Sequence, residues 1–125
     1  AGFSDFVLED CIFSLSKGTA VEFCGSTGKL NSITIKNAGK AMKADNGSLV
    51  TGEKLVISNC KTGIIANDFS IVKLSKVSLT DLEVGLEAEK KTDAFGPARI
   101  IITGLTKKSV KSISETDNES TIQIK

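Results

Sequence analysis

The stretch "LVISNCKTGIIANDFS", Leu55 to Ser70, alternates apolar and polar residues, halts at Asn59-Cys60, passes Gly63, alternates again and halts at Asn67-Asp68. An apolar spacing of two residues is the signature of a half-buried strand, and a helix would need 3.6. The same spelling recurs. "ITIKNAGKAMKADNGSLV" starts at Ile33 and "VSLTDLEVGLEAEKK" at Val77, and "IIITGL" at Ile100 reads as a further copy. Polar corners then fall at Asn37, Asn59, Asp81 and Gly104, each following the last at a nearly constant interval. One interval back lies Ser16, with Ile12 and Ser14 at the strand positions.

Later positions keep the register. Small residues Ala20, Ala41, Gly63 and Gly85 are each followed by an apolar one, Val21, Met42, Ile64 and Leu86, and two residues further come Phe23, Ala44, Ala66 and Ala88. A third element recurs as "DNGSLV" (Asp45 to Val50), "NDFSIVKL" (Asn67 to Leu74) and "DNESTIQI" (Asp117 to Ile124). A unit of this length cannot bury its own apolar face, so units must stack strand on strand. The expected inward ladders are Ile33, Leu55, Val77 and Ile100; Ile35, Ile57, Leu79 and Ile102; Val21, Met42, Ile64 and Leu86; and Val50, Val72 and Ile122. The fold class is therefore all-β, a single-domain parallel β-solenoid of about five coils at roughly 22 residues each. At about 4.8 Å per coil it stands about 25 Å tall. A right-handed winding is the expectation for parallel crossovers. Asn37, Asn59 and Asp81 form a structural ladder at one corner, because Asn bonds both its neighbour and the turn backbone. Cys60 then packs beside Ala38 and Leu82.

Here a family resemblance enters. "NCKTGI" (Asn59 to Ile64) resembles the Asn-Cys-x-x-Gly-Ile phrase of right-handed parallel β-helix repeats, the fold of pectate-lyase-like proteins. "GLEAEKKTDAFGPARI" (Gly85 to Ile100) resembles a passage in the β-helical segments of large bacterial surface proteins with spore-coat-kinase-like or lamin-tail domains. The resemblance implies an extracellular or cell-surface location and a module of a larger protein.

Composition narrows the function. Sixteen basic residues against 15 acidic ones give a net charge of +1, and Arg99 is the only Arg. Nucleic-acid binding needs a basic stripe that displaces counterions, so no nucleic acid is expected as partner. No His is present, which removes histidine bases, His-assisted nucleophiles and histidine metal ligands. Without Trp or Tyr the usual stacking platforms are missing. Cys11, Cys24 and Cys60 show no paired spacing, so no zinc or other metal site is expected. They read as buried, unpaired thiols, with a single disulfide as the alternative. No run approaches about 20 apolar residues, so no membrane span is expected. No signal peptide is expected at Ala1.

Candidate sites are few. "EKKTDAFGPA" (Glu89 to Ala98) holds the only Pro and is expected to replace the third strand of its coil with a bulging loop. There Lys90, Lys91, Asp93 and Arg99, beside Phe95, could contact a ligand or partner. The plainer reading is an irregularity whose Phe95 plugs the core. "CGSTGK" (Cys24 to Lys29) lacks the full phosphate-loop spacing. "TKKSVKSISETDNES" (Thr106 to Ser120) reads as a loosened repeat with an insertion. Glu22 and Lys43 are neighbours on the wall. Outward hydroxyl-bearing columns are Thr34, Val56, Ser78, Ile101 and Lys36, Ser58, Thr80, Thr103. No catalytic residue and no cofactor is assigned, since Asp81, Glu83 and Glu87 share a coil but not a face. Phe3, Phe6 and Val7 are expected to cap the first coil partly. Three functions fit: a non-catalytic structural, adhesion or display module of an exported bacterial surface protein; a carbohydrate-active fragment; and a self-assembling scaffold. The corresponding partners are a polysaccharide, another surface protein, or a second copy stacked end to end.

Overall fold

Period-2 alternation puts Ile33, Ile35, Leu55, Ile57, Val77 and Leu79 on one side of their strands, and branched aliphatic residues suit a pleated, half-buried surface. In the computed structural model, which describes residues 5–14, 18–89, 96–117 and 119–125, each of these six is at most 1% exposed. The strands are β1 (Asp5–Ser14), β2 (Thr19–Cys24), β3 (Thr27–Lys36), β4 (Lys40–Asp45), β5 (Leu49–Asn67), β6 (Ile71–Glu89), β7 (Arg99–Thr116) and β8 (Thr121–Ile124). All pairing is parallel, in the order β1-β3-β5-β6-β7-β8, with β2 on β4 and β4 on β5. No helix occurs among the described residues, so none is long and apolar enough to cross a membrane. The chain is a parallel β-solenoid of about five coils.

Strands β5, β6 and β7 turn corners without leaving the ladder. They do so at single residues of positive φ, which reverse the local curl in one step. The first corner stacks Asp10, Ser32, Lys54, Lys76 and Gly104; the second stacks Asn37, Asn59, Asp81 and Ser109. The third uses Gly25, then Asn46 and Gly47, then Asp68 and Phe69. Three faces lie between the corners. Face one carries residues 27–31, 49–53, 71–75, 99–103 and 121–124; face two carries 33–36, 55–58, 77–80 and 105–108. Face three carries 40–45, 62–67, 84–89 and 112–116.

The core is a bundle of columns. Ile35, Ile57 and Leu79 stack in register, as do Met42, Ile64 and Leu86, all fully buried. Each such side chain stabilises the coil by about 1.5–3 kcal/mol relative to exposure. One compensation crosses columns. Coil by coil, Ala44 and Val50, then Ala66 and Val72, then Ala88 and Ile100 share the space behind the third corner. In the first coil the pair is Phe23 and Gly28, and a Cβ on Gly28 would lie 2.5 Å from Phe23 Cε1. The glycine supplies the volume that the aromatic ring fills.

A buried serine ladder ties the third corner. The Ser26 N–H donates to Ser48 Oγ and the Ser48 N–H to Ser70 Oγ, both at 3.1 Å, and the Ala98 N–H donates to Ser120 Oγ at 3.1 Å. Ser48 Oγ in turn donates to Asp45 O at 2.7 Å and Ser26 Oγ to Cys24 O at 3.0 Å. These hydroxyls satisfy backbone donors that a tight corner leaves without a ladder partner.

Several register expectations are corrected. Val77 pairs with Leu105 and Leu79 with Lys107, whereas Ile100 and Ile102 pair with Val72 and Leu74 on face one. One ordinary coil carries Val50 to Val72, but the next carries Val72 to Ile100, so that coil is longer, and its extra residues fall between Glu89 and Ala98. The third strand of that coil is therefore present as the start of β7. Gly104 belongs to the first corner and Ser109 to the second. The outward column of face two runs Thr34, Val56, Ser78, Thr106, and its neighbour Lys36, Ser58, Thr80, Lys108. In the first coil Cys11 pairs with Ile33 and Phe13 with Ile35, so Ile12 points outward, 71% exposed. Because strand side chains alternate, a shift of one residue exchanges the two faces. Val7 also points outward, 64% exposed, and does not cap the end; Phe3 and the side chain of Phe6 lie outside the described residues. The Thr106–Thr116 segment is regular strand on β6 rather than a loosened repeat.

Candidate functional site

The side wall of face one carries a recess. Strands β1, β3 and β5 present Val7 and Glu9, Lys29 and Asn31, Thr51 and Glu53 outward in successive rows. Between the two outward columns lies Gly52, in the inward column of Leu30 and Leu74, where an added Cβ would collide with the Leu30 carbonyl oxygen. The recess these residues line has a volume of about 450 Å3. It shares Thr51, Gly52 and Ser75 with a second recess of about 320 Å3 that extends past Lys73 and Ile101 to Thr103. Together they form a shallow groove across the strands, along the solenoid axis.

The groove alternates in charge. Lys29 and Lys73 occupy one column with Thr51 between them, and Glu9 and Glu53 occupy the next with Asn31 between them. At about 4.8 Å per coil, like charges stand about 9.6 Å apart, so self-repulsion is modest and each charge has an opposite one in an adjacent row. The wall offers hydroxyls, an amide and both signs of charge to a long ligand. Sequence reasoning missed this groove. The available signal was Gly52, a glycine in the column of Leu30, Leu74 and Ile102.

The residues singled out from sequence are dispersed. Lys90, Lys91, Asp93 and Phe95 lie outside the described residues. Arg99 opens β7, exposed, with its N–H donated to Ser70 O at 3.0 Å and Ile71 and Thr121 as its ladder neighbours. Beside it, Phe69 holds a φ of 67°, donates its N–H to Gly96 O at 3.0 Å, and lays its ring where a Cβ of residue 96 would be. Asn37, Asn59 and Asp81 share the second corner. Asn59 Nδ2 donates to Asn37 Oδ1 at 2.7 Å, and Asn37 Nδ2 reaches Ser14 Oγ at 3.4 Å. Among the described residues no hydrogen bond joins Asp81 to Asn59.

Asp81 and Glu83 do share a surface recess of about 530 Å3 at that corner, which Lys61 and Lys111 also line. Glu87 lies on face three, level with Ile65. The "CGSTGK" stretch is a corner followed by the start of β3, and its Ser26 N–H is already committed to Ser48. On face three Lys43 pairs in register with Glu22, yet its ion pair is with Asp45, at 3.7 Å. Partly exposed pairs of this kind are worth less than about 1 kcal/mol.

The three thiols are free. Cys60 is buried against Leu82, as expected, and burial pushes its pKa up while a hydrogen bond with the Ala38 backbone works the other way. Cys11 is half-buried and Cys24 is exposed, so the expectation of a buried thiol fails for Cys24, whose sulfur accepts from Asn46 Nδ2 at 3.0 Å. Among the described residues no group of three or more Cys, Asp or Glu side chains is placed to hold a metal ion. No family model, no curated protein and no solved structure matches this chain.

Proposed function

We propose that the chain is a non-catalytic structural module of an exported bacterial surface protein, a rigid segment that spaces or displays its neighbours and offers a side wall for adhesion. One observation carries this reading: sequence regularity is concentrated inside. The inward columns keep one chemistry over three coils, as in Ile35, Ile57 and Leu79. The outward columns vary more, as in Lys29, Thr51, Lys73 and Ile101, or Thr34, Val56 and Ser78. Such a chain specifies a rod and leaves its wall free to vary. Export and a bacterial surface rest on the resemblance of "NCKTGI" and of the Gly85 to Ile100 passage.

The groove favours a second reading, a carbohydrate-active fragment. Glu9 and Glu53 share a column two coils apart, which places their backbones near the upper end of the separation used by paired glycosidase carboxylates. One experiment separates the two. The purified chain is incubated with neutral and acidic polysaccharides, and both retention on the polymer and release of new chain ends are measured. Retention without new ends supports an adhesion wall. New ends that accumulate with time and protein concentration, and vanish in Glu53→Gln, would replace the structural reading with the catalytic one.

A further inference from the structure

Three interior columns change chemistry in the same strand. Ile35, Ile57 and Leu79 lead to Lys107; Met42, Ile64 and Leu86 lead to Ser114; Ala44, Ala66 and Ala88 lead to Thr116. All three terminal residues lie in β7 and all three are exposed. At the other end the same columns reach Phe13, Val21 and Phe23. Those are apolar, and Val21 and Phe23 are buried. Leu105 and Val110, in neighbouring columns of β7, stay apolar and half-buried, so the change is confined to specific inward positions.

We infer that Lys107, Ser114 and Thr116 form a built-in stop, which closes faces two and three of this end of the solenoid against stacking by a second copy of the chain. Strand edges invite pairing, and an inward-pointing charge is one of the ways proteins refuse it. A coil laid over β7 would enclose the Lys107 ammonium and two hydroxyls above an aliphatic interior. None of the three faces a partner there: the residue beneath Lys107 is Leu79, beneath Ser114 is Leu86, and beneath Thr116 is Ala88. Enclosure would strip water from a charge and from two hydroxyls with nothing to replace it. The ladder hydrogen bonds offered by the bare edge of β7 would be gained only at that cost. Self-assembly through this end is thereby disfavoured, while the solenoid below it is untouched, because the three positions are exposed in the single chain. The inference goes beyond the structural reading and argues against a separate function considered for the chain, the end-to-end scaffold.

The test uses the full chain with a bulky folded domain fused ahead of Ala1, so that only the β7 end can associate. Sedimentation equilibrium is followed over a hundredfold range of concentration for the unsubstituted chain and for Lys107→Leu, Ser114→Leu and Thr116→Ala combined. The unsubstituted chain is expected to keep a monomer mass throughout. The triple variant is expected to self-associate, with a dissociation constant lower by about a hundredfold or more. Lys107→Leu alone, at an exposed position where folding is little disturbed, should give part of that shift. Val56→Lys, on the outer wall, should give none. Concentration-dependent mass in the unsubstituted fusion overturns the inference, and so does a triple variant or Lys107→Leu variant that is folded by circular dichroism yet remains monomeric.

Discussion

The second corner contains one mismatch whose repair should be measurable. Asn59 donates its amide to Asn37 Oδ1 at 2.7 Å, and the next residue in the stack is Asp81, which has no amide to donate. Asn59 Oδ1 and the Asp81 carboxylate are both acceptors, one coil apart. Asp81→Asn would supply the missing donor at a φ of 56°, a left-handed conformation that Asn adopts readily. One net hydrogen bond is worth about 0.5–1.5 kcal/mol, and an exposed corner belongs at the lower end. With an unfolding entropy of about 2.1 cal/mol/K per residue, each kcal/mol moves the midpoint of a chain this size by about 4 °C. The variant should therefore melt about 2–4 °C higher. The opposite change, Asn59→Asp, removes the existing donor and stacks two carboxylates about 4.8 Å apart, which adds just under about 1 kcal/mol of repulsion in water. It should melt about 4–8 °C lower, and raising salt should recover part of the loss. Thermal unfolding by circular dichroism at two ionic strengths reads both. If Asp81→Asn is no more stable than the unsubstituted chain, or Asn59→Asp is equally stable, the corner amides are bystanders.

Four further outcomes are expected. Phe23→Ala and Gly28→Val should each destabilise the chain in urea, the first by about 3–5 kcal/mol from a cavity and the second by about 1–3 kcal/mol from overpacking. Combined, they recreate the Ala-Val pair of the next coils and should cost at least about 1 kcal/mol less than the sum, as a double-mutant cycle will show. Thiol labelling followed by mass spectrometry should modify Cys24 first and Cys60 last. Since burial holds the Cys60 pKa above its unfolded value, its contribution to stability is whole below the unfolded thiol pKa of about 8.5 and is lost as pH rises through the folded one, so urea midpoints should fall in that alkaline range and the fall should vanish in Cys60→Ala. Asn46-Gly47 is a deamidation sequence whose attacking nitrogen, Gly47 N, is tied to Asp68 O at 2.8 Å; peptide mapping should find deamidation at least about tenfold slower in the folded chain than in urea.

The fold was legible because alternation at period 2 and a repeat of nearly constant length reinforce each other. Ile33, Leu55 and Val77, with Ile35, Ile57 and Leu79, read correctly as columns since each copy carries the same apolar pair before a polar corner residue. The errors have the same origin. Faces one and two are spelled alike: Val72, Leu74 and the corner Lys76 form one phrase, and Val77, Leu79 and the corner Asp81 form another. "IIITGL" fits either phrase, and only pairing with Val72 and Leu74 shows that an insertion precedes it. Likewise Cys11, Ile12 and Phe13 are consecutive and apolar, so local pattern cannot choose which faces inward, whereas pairing with Ile33 and Ile35 does. The serine ladder was visible as Ser48, Ser70 and Ser120 in the third-strand phrases, but its role depends on backbone donors that sequence does not display.

The groove and the stop belong to a level where a linear reading has least purchase. Both are relations between positions a whole coil apart in the chain, and both arise where a column departs from its own rule: Gly52 among leucines, Lys107 after Leu79. In a repeat fold the consensus residues specify the rod, so a departure that survives folding is where a property other than folding can enter. The two departures act in opposite senses. The groove that Gly52 lines is open on the wall, and the charge at Lys107 disfavours a second copy at one end. Growth by stacking a second copy on β7 would instead call for apolar residues at positions 107, 114 and 116, in keeping with the columns beneath them.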